Sequence, residues 1–466
     1  MYAKANIMNQ SSRYTSLAQL FQANRPLDSV VCFDDKSQIS WQEFQRDVAK
    51  LCRLLSDSPA QRTAICTQDS YLFTVAFIAC ALSNKQIVLP GNYQPEALSE
   101  LSREYDLLLV DESIEVVSNT NVLLLTNQLF QAEVSELVSK SIDLRAVRLV
   151  LFTSGSSGTP KAIHKTLEQL DIEIAELSKN WQSMLTGSHV HSTVSHQHIY
   201  GLLFRILWPL CSSVPFSRFN LEYPEQIVSH ADSQMVLVSS PALLKRLSQE
   251  QSAKPLVGVF SSGGPLPLEA AQQARTLFGE LPIEVFGSTE TGGIAYRQQL
   301  DAQTPWQLFS CIKAQLNQEN CIKLLSPYID KEQWYQTADE CEMVSDSQFI
   351  LKGRTDRIIK IEEKRISLVE VEKRLEQLAW IKECAVIPFE EPNRLILASV
   401  IVLSDEGKQM LSSVGKGKFW LLLRNELRKW LEPIAVPRRF RVVEEIPLNS
   451  QGKRLTPQIE QIINAQ

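Results

Sequence analysis

Between residues 41 and 125 the chain alternates helical periodicity with short apolar runs, and this alternation limits its fold more than any other feature. Trp41 to Ser56 carries apolar residues at 41, 44, 48, 51, 54 and 55, one face of a helix, and Ser40 with Glu43 forms a capping-box pattern at its start. Strand-like runs follow at Arg62–Cys66, Ile87–Leu89, Leu107–Val110 and Val122–Leu125. Strands separated by helix-length connections pair in parallel and bury both faces under helices, so an α/β fold with a helix-covered sheet is expected. Further apolar runs at Leu149–Thr153, Met235–Ser239, Val257–Phe260 and Ile283–Phe286 extend the pattern. Tyr71 to Leu82 is apolar throughout, about half a membrane span, and gives way to Ser83-Asn84-Lys85; it reads as a buried helix.

After residue 353 the character changes. Gly353-Arg354-Thr355-Asp356-Arg357 is a polar break, followed by short β-like runs (Ile358–Ile361, Ala385–Pro388, Leu395–Val402) and helical patterns at Leu368–Leu378 and Phe419–Leu431. A large N-terminal domain over 1–353 and a small α+β C-terminal domain over 354–466 are expected.

Composition narrows the class. At 44% hydrophobic and 21% charged the chain is ordinary globular protein, neither disordered nor fibrous. A net charge of −6 argues against a protein dedicated to nucleic acid. With no apolar run of membrane length and no secretory leader pattern in MYAKANIMNQSSRY, no membrane span is expected. Nine scattered cysteines, none spaced C-x-x-C, suit reduced, packed thiols and a cytoplasmic location.

Glycine is scarce, 17 in 466, yet nine of these fall in five short polar stretches: 155 and 158; 263 and 264; 287, 292 and 293; 353; and 452. Such clustering marks tight turns or close approach to a ligand. In the first stretch an apolar strand runs into Thr153-Ser154-Gly155-Ser156-Ser157-Gly158-Thr159-Pro160-Lys161. Backbone N–H groups of a Gly/Ser turn form an anion-binding nest, to which hydroxyls and Lys161 add donors and charge; this is phosphate-binding chemistry. It is neither a Walker A loop, since Gly-Lys-Ser/Thr is absent, nor a dinucleotide fingerprint.

That stretch resembles the phosphate-binding signature of the adenylate-forming superfamily, which includes acyl- and aryl-CoA synthetases, acyl-carrier-protein ligases, nonribosomal adenylation domains and firefly luciferase. The other glycine clusters come in the family's order, and the resemblance runs from Ile39-Ser40-Trp41-Gln42-Glu43-Phe44 to Gly452-Lys453. It implies an enzyme that joins a carboxylate to ATP, releases pyrophosphate, and passes the acyl group from the adenylate to a thiol. By resemblance Thr153 to Lys161 would hold the β,γ-phosphates. In Phe286-Gly287-Ser288-Thr289-Glu290-Thr291-Gly292-Gly293, Thr289 would contact the α-phosphate and Glu290 would ligate Mg²⁺. Ser262-Gly263-Gly264-Pro265 would pack against adenine. Tyr335-Gln336-Thr337-Ala338-Asp339 matches the family's ribose element with Ala338 in place of glycine; Asp339 would accept from the ribose hydroxyls, backed by Arg354. Asp356 falls at the family's hinge, where the small domain pivots, and a surface ion pair of Arg354 with Asp356 is the alternative. Lys453, in Pro447-Leu448-Asn449-Ser450-Gln451-Gly452-Lys453, would bridge the carboxylate and the α-phosphate.

Four of six histidines lie in His189-x-His191 and His196-x-His198. No cysteine or carboxylate accompanies them, which weighs against a metal site. His198-Ile199-Tyr200-Gly201 resembles the family's element beside the acyl pocket, so His198, Tyr200 and Gly201 are pocket candidates, while His189 and His191 read as structural. The pocket is expected from His198–Leu207, Ser239–Leu244, Ser261–Gly264 and Phe286–Ala295, with an apolar lining suited to a medium- or long-chain or aromatic acid. From Lys408 to Arg454 there are 11 basic and 4 acidic residues. That face fits the phosphates of coenzyme A, an acidic carrier protein bearing phosphopantetheine, or simply a solvated helix surface. One departure stands out: Glu363 occupies the glycine of the family's I-K-x-x-G-x-R pattern in Ile359–Arg365, a bulky charge where pantetheine passes, which argues mildly against free coenzyme A. An acid–thiol ligase using ATP, Mg²⁺ and either acceptor is therefore expected; a catalytically silent acyl- or nucleotide-binding protein and a luciferase-like oxygenase are the alternatives.

Overall fold

The computed structural model describes residues 14–116, 121–126, 129–130, 137–154, 160–248, 252–354, 358–392, 394–447 and 456–465. The alternation of the N-terminal third becomes a six-stranded sheet in the order Val122–Leu124, Leu107–Val110, Arg62–Cys66, Gln86–Leu89, Arg148–Ser154 and Pro160–Thr166. All neighbours are parallel except the last pair, a hairpin in which Thr153 stands opposite Lys161. Helix Trp41–Asp57 starts at Ser40, whose side chain and that of Glu43 cap each other's backbone. Ser70–Leu82, apolar on every side, is buried from Ser70 to Ala81, as an all-apolar helix must be.

A second, thirteen-stranded sheet, edged by Gln38–Ser40 antiparallel to Val30–Phe33, changes from parallel to antiparallel pairing along its width. Its parallel part takes in Val30–Phe33, Phe216–Ser217, His189–Ser192, Met235–Ser239, Gly258–Ser261 and Ile283–Ser288. From Gly292–Gln298 onward the pairing is antiparallel, through Trp306–Leu308, Gln348–Arg354, Asp330–Ser345, Cys321–Ser326 and Lys313–Leu316. A core running from Leu17 to Phe349 fills the space among these elements.

The C-terminal region has its own core, from Ile361 to Phe440. Strands Ile381–Glu391, Arg394–Leu403 and Arg439–Val442 form a three-stranded sheet packed by helices Leu368–Glu376 and Lys416–Arg428. Ahead of them, Ile358–Ile361 and Lys364–Ser367 pair as an isolated two-stranded hairpin. The architecture is thus mixed α/β, with a larger N-terminal and a smaller C-terminal part. None of the nine cysteines forms a disulfide, and seven of them are buried. Among the described residues no helix is long and apolar enough to cross a membrane.

Candidate active site

The two cores meet at a cavity, and three segments of the larger part form its floor. The first is the turn after strand Ile283–Ser288. Ser288 N donates to Thr291 Oγ1 at 3.0 Å and Thr291 N to Ser288 Oγ at 3.2 Å, closing the chain tightly. Glycine is required here: a Cβ on Gly287 would lie 2.2 Å from Gly292 O, and Gly292 itself has φ +68°. Gly287, Ser288, Thr289, Gly292 and Gly293 all face the cavity. The second segment is Ser262-Gly263, with Gly263 at φ +94°. The third is Ile199–Cys211, which begins as α-helix and passes through a π-helical stretch at Leu202–Leu207 ahead of Pro209. It turns His198, Tyr200, Gly201, Leu203 and Phe204 onto one wall.

Glu290 stands at the centre of the charge arrangement. Its carboxylate is almost fully buried, with Lys161 Nζ 3.2 Å from Oε1 and Arg365 Nη1 2.5 Å from Oε2. Burial alone would raise its pKa, but Arg365 and Lys161 outweigh that and hold it below the usual carboxylate value. Beneath it, Lys165 Nζ donates to Glu290 O at 2.8 Å and Tyr328 O at 2.7 Å, pinning the turn's backbone. Burial lowers Lys165 to about 8, against the pull of Glu173 and Glu290. Glu173 accepts from Gly293 N at 2.6 Å. Desolvation lifts Glu173 to about 7 despite that hydrogen bond and Lys165. Sequence reasoning missed Lys165 and Glu173; each is a lone charge on an otherwise ordinary strand or helix.

The roof comes from the smaller part. At the tip of the Ile358–Ser367 hairpin Lys360 Nζ donates to Gly287 O at 2.9 Å, and Lys364 Nζ lies 2.5 Å from His198 Nε2 and 3.2 Å from Glu432 Oε1. An ammonium only donates, so His198 Nε2 accepts and the ring proton sits on Nδ1. Burial and Lys364 together keep His198 neutral, well below the ordinary histidine value. The hairpin turns through Glu362 and Glu363, and the left-handed conformation falls on Glu362, at φ +55°. Glu363 is therefore not the position that strains the turn. Room for it comes from across the cavity: a Cβ on Gly263 would stand 2.4 Å from Glu363 Cα. The absent side chain at Gly263 lets the Glu363 backbone close on the larger part.

Several expected residues take other places. Thr153 lines the cavity and its buried Oγ1 has no hydrogen-bond partner among the described residues, an open donor where phosphate oxygens are expected. Lys161 and Glu290 flank the cavity through their ion pair. Gly264 and Phe286 are not among its lining residues; Phe286 packs on Trp306 and Phe349 instead. Ser239–Leu244, expected in the pocket, contributes none of the lining and stands behind it, where Ser239 O accepts from Tyr200 Oη at 3.2 Å. Gly201 lies so near Ser195 that a Cβ would come 2.0 Å from its carbonyl oxygen. Asp339 is buried on the antiparallel flank of the large sheet, opposite Arg354 in the strand ladder and outside the cavity lining. His189, His191 and Phe33 pack edge to face, and His196 bonds Ser70 Oγ at 3.1 Å and Thr67 O at 2.9 Å. Gly155, Ser156, Ser157, Gly158, Thr159, Asp356 and Lys453 lie outside the described residues, and Ser154 and Arg354 are placed by backbone alone.

A glycine-bound turn carrying a buried carboxylate thus faces a hairpin from the smaller part, an arrangement in keeping with the adenylate-forming superfamily that the sequence resembles. The chain matches the AMP-binding enzyme family over residues 20–325 and the AMP-binding enzyme C-terminal domain over 370–453; it belongs to the AMP-binding enzyme family. It is 23% identical to a protein named probable CoA ligase from Humulus lupulus, over 66% of this chain and 59% of that one. With malonate–CoA ligase of Arabidopsis thaliana the identity is 24%, over 72% and 64%. With D-alanine–D-alanyl carrier protein ligase of Staphylococcus haemolyticus it is 24%, over 92% and 95%. The chain thus spans less than two thirds of the first two relatives and nearly all of the third. Among solved structures, o-succinylbenzoate CoA synthetase from Bacillus subtilis, bound with a product analogue, superposes with TM-score 0.78 at 18% identity, covering 96% of this chain and 98% of that one. The amide bond synthetase McbA from Marinactinospora thermotolerans gives 0.76 at 17%, covering 96% and 99%. At such identities the likeness concerns the fold.

Proposed function

We propose that the chain is an AMP-forming acid–thiol ligase, which activates a carboxylic acid as its acyl-adenylate with release of pyrophosphate and then transfers the acyl group to a phosphopantetheine thiol. The observation that carries this reading is the Glu290 node, where one carboxylate is held by Lys161 beside the phosphate-binding hairpin and by Arg365 from the smaller unit. A weak carboxylate nucleophile meeting a polyanion needs charge neutralisation and positioning, and this node supplies both next to Thr289. Thr153 and Lys161 would receive the β,γ-phosphates, with Asp339 and Arg354 at the ribose and Lys453 between substrate carboxylate and α-phosphate. Mg²⁺ bound at Glu290 supplies positive charge to the phosphates, and a buried, ionised carboxylate is the donor such a hard cation takes. The domain boundary falls at residue 353: 1–353 supplies most of the nucleotide and acid site, 354–466 adds Arg354 and Lys453 to it and carries the acceptor side, and Asp356 is the pivot.

The apolar wall of Val194, Ile199, Leu203, Phe204 and Val285 supports an aliphatic or aryl acid. The relatives act on both kinds of acceptor by name, coenzyme A and a carrier protein. The basic C-terminal surface suits either. Pyrophosphate release from MgATP across a panel of fatty, aryl and short dicarboxylic acids tests the reading. Acid-dependent release, lost in Lys453→Ala, is expected; ATP binding without release for any acid would overturn it.

A further inference from the structure

The hairpin tip lays four charged side chains on the cavity, and three are engaged across it. Lys360 bonds Gly287 O, Lys364 lies between Glu432 and His198, and Arg365 holds Glu290. Glu363 is the exception. It lines the cavity beside Gly263, Lys364 and His198, yet among the described residues its carboxylate has no hydrogen-bond or ion-pair partner beyond its own backbone amide. Its backbone is pressed to Gly263 so closely that no side chain there could coexist with it. A carboxylate half-withdrawn from water at the cavity surface, and unpartnered by the protein, is open to a proton donor in the cavity.

We propose that Glu363 is the proton acceptor for the nucleophile in the acyl-transfer step. The inference rests on the ligase reading. A pantetheine thiol is mostly protonated at neutral pH, with an ordinary pKa of about 8.5, while the thiolate is the nucleophile. In the step, the S–H bond breaks and its proton passes to the Glu363 carboxylate. Sulfur bonds the acyl carbon, and the bond from that carbon to the adenylate oxygen breaks with its electron pair leaving on AMP. Burial raises the affinity of Glu363 for a proton, Glu362 and Glu432 raise it further, and Lys364 opposes them. Ser262-Gly263-Gly264, packed against the tip, brings no titratable group. A carboxylate so perturbed is better matched to a thiol than one in open water. The reading reverses the role first expected of Glu363, from obstacle to participant.

The test separates the half-reactions. Enzyme is loaded with acyl-adenylate from MgATP and the acid giving most pyrophosphate, then mixed with coenzyme A from pH 6 to 9, and transfer is timed per loaded site for wild type, Glu363→Gln and Glu363→Asp. The expected result is a loss of about 100-fold in Glu363→Gln at neutral pH, shrinking as pH approaches the thiol pKa, with partial rescue in Glu363→Asp. Wild-type transfer in Glu363→Gln, or a loss that does not vary with pH, would overturn the proposal. A wild-type enzyme that never loads would instead overturn the ligase reading beneath it.

Discussion

Arg365 Nη1 stands 2.5 Å from Glu290 Oε2, joining residues 75 positions apart across the cavity. The same carboxylate is the site proposed for Mg²⁺, so hairpin and metal ion contend for one oxygen while Lys161 keeps the other. Arg365→Ala should lower the Mg²⁺ concentration for half-maximal pyrophosphate release several-fold. It should also slow acyl transfer by about tenfold, or 1.4 kcal/mol, since the hairpin loses its tie to the turn. Mg²⁺ titrations of each half-reaction measure both effects. An unchanged Mg²⁺ dependence would mean that the two cations do not meet at Glu290.

Gly263→Ala tests the fit between the two units at its tightest point. The new methyl would stand 2.4 Å from Glu363 Cα, on a backbone already at φ +94°. The left-handed conformation alone costs an alanine on the order of 1–2 kcal/mol. The clash is with backbone rather than a movable side-chain end, so the hairpin must withdraw. Acyl transfer is expected to fall at least tenfold, with a lowered Tm. Wild-type transfer with a lowered Tm would show that the tip need not dock on Gly263 during catalysis.

Glu173 makes a pH prediction. Its folded pKa is raised from 4.5 to about 7, chiefly by desolvation. The folded state therefore binds more protons than the unfolded state across that window, so stability falls as pH rises from about 4.5 to 7 and levels off above it. A shift of this size corresponds to on the order of 3 kcal/mol. Denaturant unfolding at a series of pH values should show that slope in wild type and a shallower one in Glu173→Gln, which keeps an acceptor for Gly293 N–H without a titrating group. Equal slopes would mean that Glu173 stays ionised when folded.

These three groups also mark how far the sequence could be read. Strands buried on both faces, such as Leu107–Val110 and Met235–Ser239, stood out residue for residue because burial demands unbroken apolar runs. Asp330–Ser345 did not: most of its side chains face water, and DKEQWYQTADECEMVS has no apolar run to betray a strand. Helix Asp405–Val414 escaped for a similar reason, with Gly407 its one fully buried residue. At the site, glycine clustering pointed to the turn at 287–293 because its chemistry is local. Lys165, Glu173 and the Gly263–Glu363 contact depend on residues far apart in the chain, and a single charged side chain on a helix reads as a solvated face until packing places it. Ser239–Leu244 shows the converse, a segment adjacent in sequence logic that the fold sets one layer behind the wall.

Lys453→Ala is the variant that divides catalysis from binding. The lysine follows Gly452 in a segment that resembles the family's C-terminal motif, and its proposed work is to relieve repulsion between the substrate carboxylate and the α-phosphate. That repulsion is felt when the two anions close on each other, more than when ATP alone is bound, so removing the charge should act on rate rather than on nucleotide affinity. A loss of about 100-fold or more in acid-dependent pyrophosphate release is expected, with ATP affinity within about threefold of wild type. Lys161→Ala should behave differently: its ammonium stands on the Arg148–Thr166 hairpin, proposed to receive the phosphates, and pairs with Glu290, so ATP affinity itself should weaken. Equilibrium nucleotide binding measured beside pyrophosphate release distinguishes the two lysines. If Lys453→Ala released pyrophosphate at the wild-type rate, the charge between the two anions would have to come from elsewhere, and Lys161 would be the first group to examine.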